Sequence, residues 1–210
     1  MYAASLNYAK MRPAGVESNQ FAYHLDQLIH EGLIAKDRRS YSLTDKGLAL
    51  VDRSSHKDIR VRLQPHIVTS LYITNDQGQM LLYEHRFQPY LNLYGPPQGR
   101  LHYAEHIADA AQRELFEKTG LVDVPLKHRG IVYIHALKAE VDVSRILAHV
   151  FTGTVTGTPD LPVSEDGIAV WKHTAHLTKD QYMPGFMEAQ ELLHAQPSGL
   201  FFKEIEAHMA

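Results

Sequence analysis

The chain contains no cysteine. Disulfides, thiolate metal sites and a cysteine nucleophile are therefore excluded. No apolar run approaches the roughly 18 residues of a membrane span, and no signal-peptide pattern opens the chain. A cytoplasmic protein with no membrane partner is the simplest expectation. Neither an internal repeat nor a low-complexity stretch is present. Charge of one sign is in little excess, with a formal −3 over 210 residues. Apolar residues at 44% and charged residues at 21% are ordinary for a globular protein. The length suits one large domain or two small ones. The small net charge hides an asymmetry: residues 1–62 hold ten Lys/Arg against seven Asp/Glu, about +3, which leaves the rest at about −6. Two units with different partners would explain this, and so would a solvated charged face.

The first segment divides at Gly32. Ser18 is placed to cap a helix whose apolar positions Phe21, Leu25, Leu28 and Ile29 recur at helical spacing, with Gly32 ending it. Leu33–Ala35 and Tyr41–Leu43 then flank the charged turn Lys36–Ser40 as two short strands, and Thr44–Gly47 opens a helix from Leu48 to about Arg53. The phrases AYHLDQLIHEGLIAK and YSLTDKGLALVDR in this order resemble a winged helix-turn-helix domain over residues 1–57. By that resemblance Ser18, Asn19, Gln20, Tyr23 and His24 would face a DNA major groove, and Arg38 and Arg39 would meet phosphate. The pattern departs from the family at its start, where only Met1–Leu6 remains for a full first helix. A minimal domain, completion by a partner chain, a lost start, or a docking or dimerisation module that binds no DNA are the alternatives.

Ser54–Asp58 reads as a linker to a second domain over 63–210. There Ile67–Ile73 is a strand-like run ended by the turn Asn75–Gly78, and Met80–Arg86 pairs naturally with it as a hairpin. The Pro-Gly segment Tyr94–Gly99 precedes an amphipathic helix from about His106 to Lys118, with Ile107, Ala110, Ala111 and Leu115 on one face and Gly120 as its stop. Further strands are expected at Gly130–Ala136, Ile146–Thr154 and Gly167–Lys172, a helix at about Gly185–Ala195, and one more helical turn at Phe201–His208.

Across that helix the chain carries Gly99, Glu105, Arg113, Glu114, Leu115, Glu117, Gly120 and Leu121 in the spacing G-x5-E-x7-R-E-L-x-E-x-x-G-L. This resembles the Nudix box, the signature of enzymes that cleave a diphosphate linked to another group. The match extends over about residues 65–195. It implies an α/β fold, an α/β/α sandwich around a mixed sheet, joined here to the small winged-helix-like domain. A diphosphate resists hydrolysis because its anionic oxygens repel a nucleophile. A divalent metal offsets that charge and acidifies a bound water. Magnesium favours oxygen ligands, so carboxylates near one helix end suit it.

The resemblance makes Glu114 and Glu117 ligands of Mg2+ or Mn2+, with a backbone carbonyl near Gly99. Arg113 and Glu105 become an ion pair that orients them. A further carboxylate often comes from a distant loop, where Glu165, six residues before Trp171, is the candidate and Asp166 its substitute. Arg86, at a strand end, is the expected phosphate contact. One position departs from the box: Lys118 stands where the family carries a second successive glutamate. Its ammonium either turns aside, leaving Glu114, Glu117 and Glu165 to hold one metal, or occupies the metal's place and binds phosphate as a point charge. His102 and His106 read as surface residues. Tyr90, Tyr94 and Trp171 could stack on a base but read as core.

Two functions follow from the resemblances. One is a metal-dependent hydrolase of a nucleoside diphosphate linked to another moiety. The alternative is a nucleotide-sensing transcriptional regulator with a catalytically weak box and a DNA-binding winged helix. A homodimer is compatible with either.

Overall fold

A computed structural model describes residues 5–53, 64–163, 167–196 and 198–209. Two compact units divide the chain after Leu63. The expected linker Ser54–Asp58 and the residues Glu165 and Asp166 lie outside the described residues.

In the first unit β1 (Leu6–Asn7) leads into α1 (Tyr8–Met11), which the Asn7 side chain caps by accepting from the Lys10 amide. α2 (Ser18–His30), β2 (Ile34–Asp37), β3 (Ser40–Leu43) and α3 (Asp45–Arg53) follow. Ser18 is the first helical residue of α2 and not its cap; Glu17 holds the cap position without a side-chain bond. The Ser18 carbonyl accepts instead from the Tyr8 hydroxyl at 2.8 Å, which ties the two helices together. β1, β3 and β2 form an antiparallel sheet in that order, with Arg38 at φ 53° in the tight turn between β2 and β3. Leu25, Ile34 and Tyr41 make the small core.

The second unit is built on one mixed sheet. β4 (His66–Asn75), β5 (Met80–His85), β6 (Tyr94–Gly95), β7 (Gln98–Arg100), β8 (Lys127–Lys138), β9 (Val141–Val155), β10 (Gly167–Lys172) and β11 (Phe201–His208) lie in the order β10-β5-β4-β9-β8-β11, with β6 on β5 and β7 on β4. β4 is parallel to β9 and β11 to β8; the other pairs are antiparallel. α4 (Ile107–Thr119) covers one face and α5 (Phe186–Ala195) the other. The alternation of β4 accounts for both layers: Leu71 and Ile73 pack with Ala111 and Leu115 of α4, while Val68 and Tyr72 join Phe186 and Ala189 of α5.

Two further expectations are corrected. Met80–Arg86 does not form a regular hairpin with the preceding strand, since β4 and β5 pair only at Thr74 and Met80. The segment carrying Pro96 and Pro97 enters the gap, where the Pro97 carbonyl accepts from the Leu71 amide. β7 then pairs with Val68–Ser70. Phe201–His208 is an edge strand parallel to β8 rather than a helical turn. Phe201, Ile205 and Ala207 face inward, a period of two in which Glu204, Glu206 and His208 point out. Among the described residues no helix is long and apolar enough to cross a membrane.

Leu115 is fully buried where α4 meets the sheet. Leu115→Ala is expected to destabilise this unit by about 2–5 kcal/mol. Urea unfolding monitored by circular dichroism measures this, and a loss under about 1 kcal/mol would show that α4 is not anchored there.

Candidate functional site

The intrusion of the Pro-Gly segment brings Gly99 under α4. A methyl group built on Gly99 would overlap the Glu114 carboxylate, so only glycine lets this strand and helix approach so closely. Glu114 is 5% exposed, and a buried carboxylate needs a partner. Arg113 supplies it, with Nη1 donating to Glu114 Oε1 at 2.6 Å. The same nitrogen donates to Glu117 Oε2 at 3.0 Å. On the other side Nε reaches Glu105 Oε1 at 2.7 Å, and Nη2 reaches Glu105 Oε2 at 2.9 Å and the Arg100 carbonyl at 3.1 Å. All the N–H donors of the guanidinium are thus engaged.

The geometry explains why arginine is needed. Its rigid fork grips Glu105 in a bidentate pair and still reaches two helix carboxylates and the strand before the loop. Glu105 accepts additionally from the His102 amide at 3.0 Å, which closes the loop on itself. Arg113, helped by that amide, holds the Glu105 carboxyl down at about 2. The surrounding carboxylates, Glu105 foremost, raise Arg113 further above its already high range.

The three box positions at the helix end separate by environment. Glu114 is buried, the Glu117 side chain is 52% exposed, and Lys118 is half-buried. The Lys118 ammonium lies 5.0 Å from the centre of the Tyr83 ring, a cation–π arrangement on the neighbouring strand. His85, next along the same face, has its pKa pushed down to about 4, first by burial and then by the Lys118 charge. His85 is therefore neutral at pH 7. Tyr83 and His85 carry no sequence signal of this role, because it depends on how β5 passes beneath the end of α4.

Arg86, just beyond β5, is exposed. His102 and His106 are exposed; the first lends its amide to Glu105 and the second holds the cap position of α4 without a side-chain bond. Tyr90 and Tyr94 pack half-buried beside the α5 core, and Trp171 beside the α4 core with its indole N–H on the Pro159 carbonyl at 3.2 Å. Ser18, Asn19, Gln20, Tyr23 and His24 of α2, with Arg38 and Arg39 of the β2–β3 turn, are all on the surface of the first unit.

Among the described residues no three His, Asp or Glu side chains gather as a metal cluster. The donors that are close together, Glu114 and Glu117 through their shared Arg113 nitrogen, are hard oxygens. A glycine cradle beneath a buried carboxylate and an all-oxygen donor set fit Mg2+ or Mn2+, and do not fit a soft metal.

A family model described as the NUDIX domain matches residues 64–193. The chain belongs to the Nudix family. No curated protein matches it. A Nudix hydrolase from Nitrosomonas europaea superposes with a TM-score of 0.52 at 24% identity, covering 63% of this chain and 90% of that one. The Nudix domain of NrtR from Shewanella oneidensis, solved with ADP ribose, gives 0.56 at 15% identity, covering 74% and 100%. A bifunctional NMN adenylyltransferase/ADP ribose pyrophosphatase from Francisella tularensis, solved with AMP and a Mn ion, gives 0.50 at 15% identity, covering 84% of this chain and 52% of that one. At these identities the likeness is one of fold.

The Glu105 pKa carries a stability prediction. A carboxylate held below its ordinary value near 4.5 stabilises the folded state fully above that value, and the contribution fades as pH falls toward about 2. Glu105→Gln is therefore expected to lower the unfolding midpoint at pH 7, with the deficit against the parent shrinking between pH 4.5 and pH 2. Urea titrations across that range check it. A deficit that does not change with pH would remove the Arg113 pair as its source.

Proposed function

We propose that the chain is a metal-dependent Nudix hydrolase that cleaves the diphosphate of a nucleoside diphosphate linked to another moiety. The observation that carries this reading is the Arg113 fork holding Glu105, Glu114 and Glu117 in one array above Gly99. A Nudix domain with Lys118 in its box retains everything else needed to present two carboxylates. Glu114, Glu117 and the Gly99 carbonyl would hold Mg2+ or Mn2+, with Glu165 as the further carboxylate. The metal, when bound, offsets the diphosphate charge and acidifies water.

The protein's own groups do the rest. Arg113 and Glu105 act as positioning residues. A carboxylate of the Glu114/Glu117 pair, or a neighbour, accepts the proton of the attacking water. Arg86 binds substrate phosphate. Lys118, anchored on Tyr83, adds positive charge at the helix end. The solved relatives that carry ADP ribose or AMP support a nucleotide-derived substrate.

Phosphate release from ADP-ribose, NADH, diadenosine polyphosphates, NTPs and nucleotide sugars with Mg2+ or Mn2+, through pyrophosphate- and phosphatase-coupled assays, tests the proposal. One class is expected to turn over, and Glu117→Gln to reduce it by on the order of 10²–10⁴-fold. Turnover unchanged in that variant would sink the role of Glu117. Silence across the panel, with thermal stabilisation by one compound, would contradict hydrolysis.

Lys118 and the first unit favour a second reading, a nucleotide-responsive regulator in which the ligand site and a DNA site are coupled through binding free energy. The helix pair α1–α2 and the three-stranded sheet with its two-arginine turn support a winged helix. Under this reading Arg38→Ala with Arg39→Ala weakens duplex binding and lowers its salt slope by about two. Fluorescence anisotropy over a salt series measures both. Absence of salt-dependent binding by the intact chain would make this unit a docking or dimerisation module.

A further inference from the structure

A cleft of about 430 Å³ opens on the sheet face opposite α4, between the C-terminal half of α5 and the ends of β4, β8 and β9. Tyr72, Thr74, Arg129, Thr152, Thr154, Gln190 and His194 supply its polar lining, and among the described residues no carboxylate lines it. Met80 and Leu193 form an apolar wall beside these groups. The cleft shares no residue with the Glu105–Lys118 site.

Arg129 reaches this cleft through a defect in the sheet. Along β8, Val132 and Ile134 face α5, so regular alternation would send Arg129 toward the α4 side. The β8–β9 register shifts between His128, paired with Phe151, and Gly130, paired with Val150. Arg129 is the extra residue of this β-bulge, and a bulge re-aims the side chain it carries. Gly130 makes the bulge feasible: its φ is 154°, and a methyl group there would overlap the Phe201 backbone.

The re-aimed side chain is only 7% exposed. One of its Nη nitrogens donates to the Gln196 carbonyl just beyond α5. Its Nε is buried with no hydrogen-bond partner among the described residues. A buried guanidinium with an unused donor, beside three threonine hydroxyls and an amide and with no acid in the described lining, is chemically a donor site for negative oxygen.

We propose that this cleft is a second ligand site that takes the oxyanion end of a small organic molecule, a phosphoryl or carboxylate group bound by Arg129 with Thr152, Thr154 and Gln190. The apolar wall of Met80 and Leu193 covers the organic body beside that anion. The site is independent of the hydrolase reading, since it lies on the other face of the sheet and uses none of the box residues.

An NMR titration of the full chain, with inorganic phosphate and separately with acetate at constant ionic strength, tests the proposal. Phosphate is expected to shift the amides of Thr152, Gly153, Thr154 and Gln190. Arg129→Gln is expected to weaken binding about tenfold, or ~1.4 kcal/mol. Thr152→Val, which preserves a β-branched residue in β9 and leaves the Gln196 contact alone, is expected to weaken it severalfold. That variant decides the matter if Arg129→Gln does not fold. Acetate shifts at the same amides would mark a general oxyanion site, and shifts with phosphate alone a phosphoryl site. The proposal is overturned if neither anion shifts these amides up to about 10 mM, if the shifts fall only around Gly99 and α4, or if the folded variants bind as the parent does.

Discussion

The guanidinium of Arg113 is the contact on which the second unit's candidate site depends. It joins three carboxylates and a backbone carbonyl that arise from the loop before α4, from α4 itself and from β7. Without it the buried Glu114 would lose the guanidinium that pairs with it, at the point where Gly99 lets the strand backbone come close to its carboxylate. The glycine and the arginine therefore answer the same problem from two sides. One makes room for the carboxylate, and the other holds it in place.

Lys118 changes the charge of this site without dismantling it. A family glutamate there would add a third negative group to the helix end. The lysine instead rests on Tyr83, and its charge adds to the burial that already lowers the His85 pKa. Its stem lies partly buried while its charge meets the aromatic face, a common way for a long cationic side chain to settle at a helix end. Substrate phosphate and metal both respond to that added charge, in opposite directions. This is why hydrolysis and sensing are alternatives for the same geometry.

Much of this was legible in the sequence because it is local. The α4 periodicity, its Gly120 stop and the Glu105–Arg113 spacing all lie within one loop and helix, where residue intervals translate directly into faces. The β10 bounds were legible for the same reason. What escaped was non-local. The parallel partner of β11 lies some seventy positions earlier in the chain, and an eight-residue stretch with three outward charged or polar side chains reads equally as a helical turn. The opening between β4 and β5 depends on where the Pro96–Pro97 segment threads. The bulge at Arg129 leaves no trace except the glycine that follows it. The exposed positions Ser18, Asn19, Gln20, Tyr23 and His24 follow the helical pattern of α2, whereas Ser18 is its first helical residue rather than its cap, with Tyr8, ten residues away, bonded to the Ser18 carbonyl.

Hydrolysis as proposed requires Glu114 and Glu117, oriented by Arg113, to hold a hard divalent cation despite Lys118. A Mn2+ titration of the intact chain, read by loss of the free-ion electron paramagnetic resonance signal, tests it most directly. One Mn2+ site is expected, displaced by Mg2+ and lost in Glu114→Gln. Saturating Mn2+ without any bound fraction, or equal binding by Glu114→Gln, would contradict it.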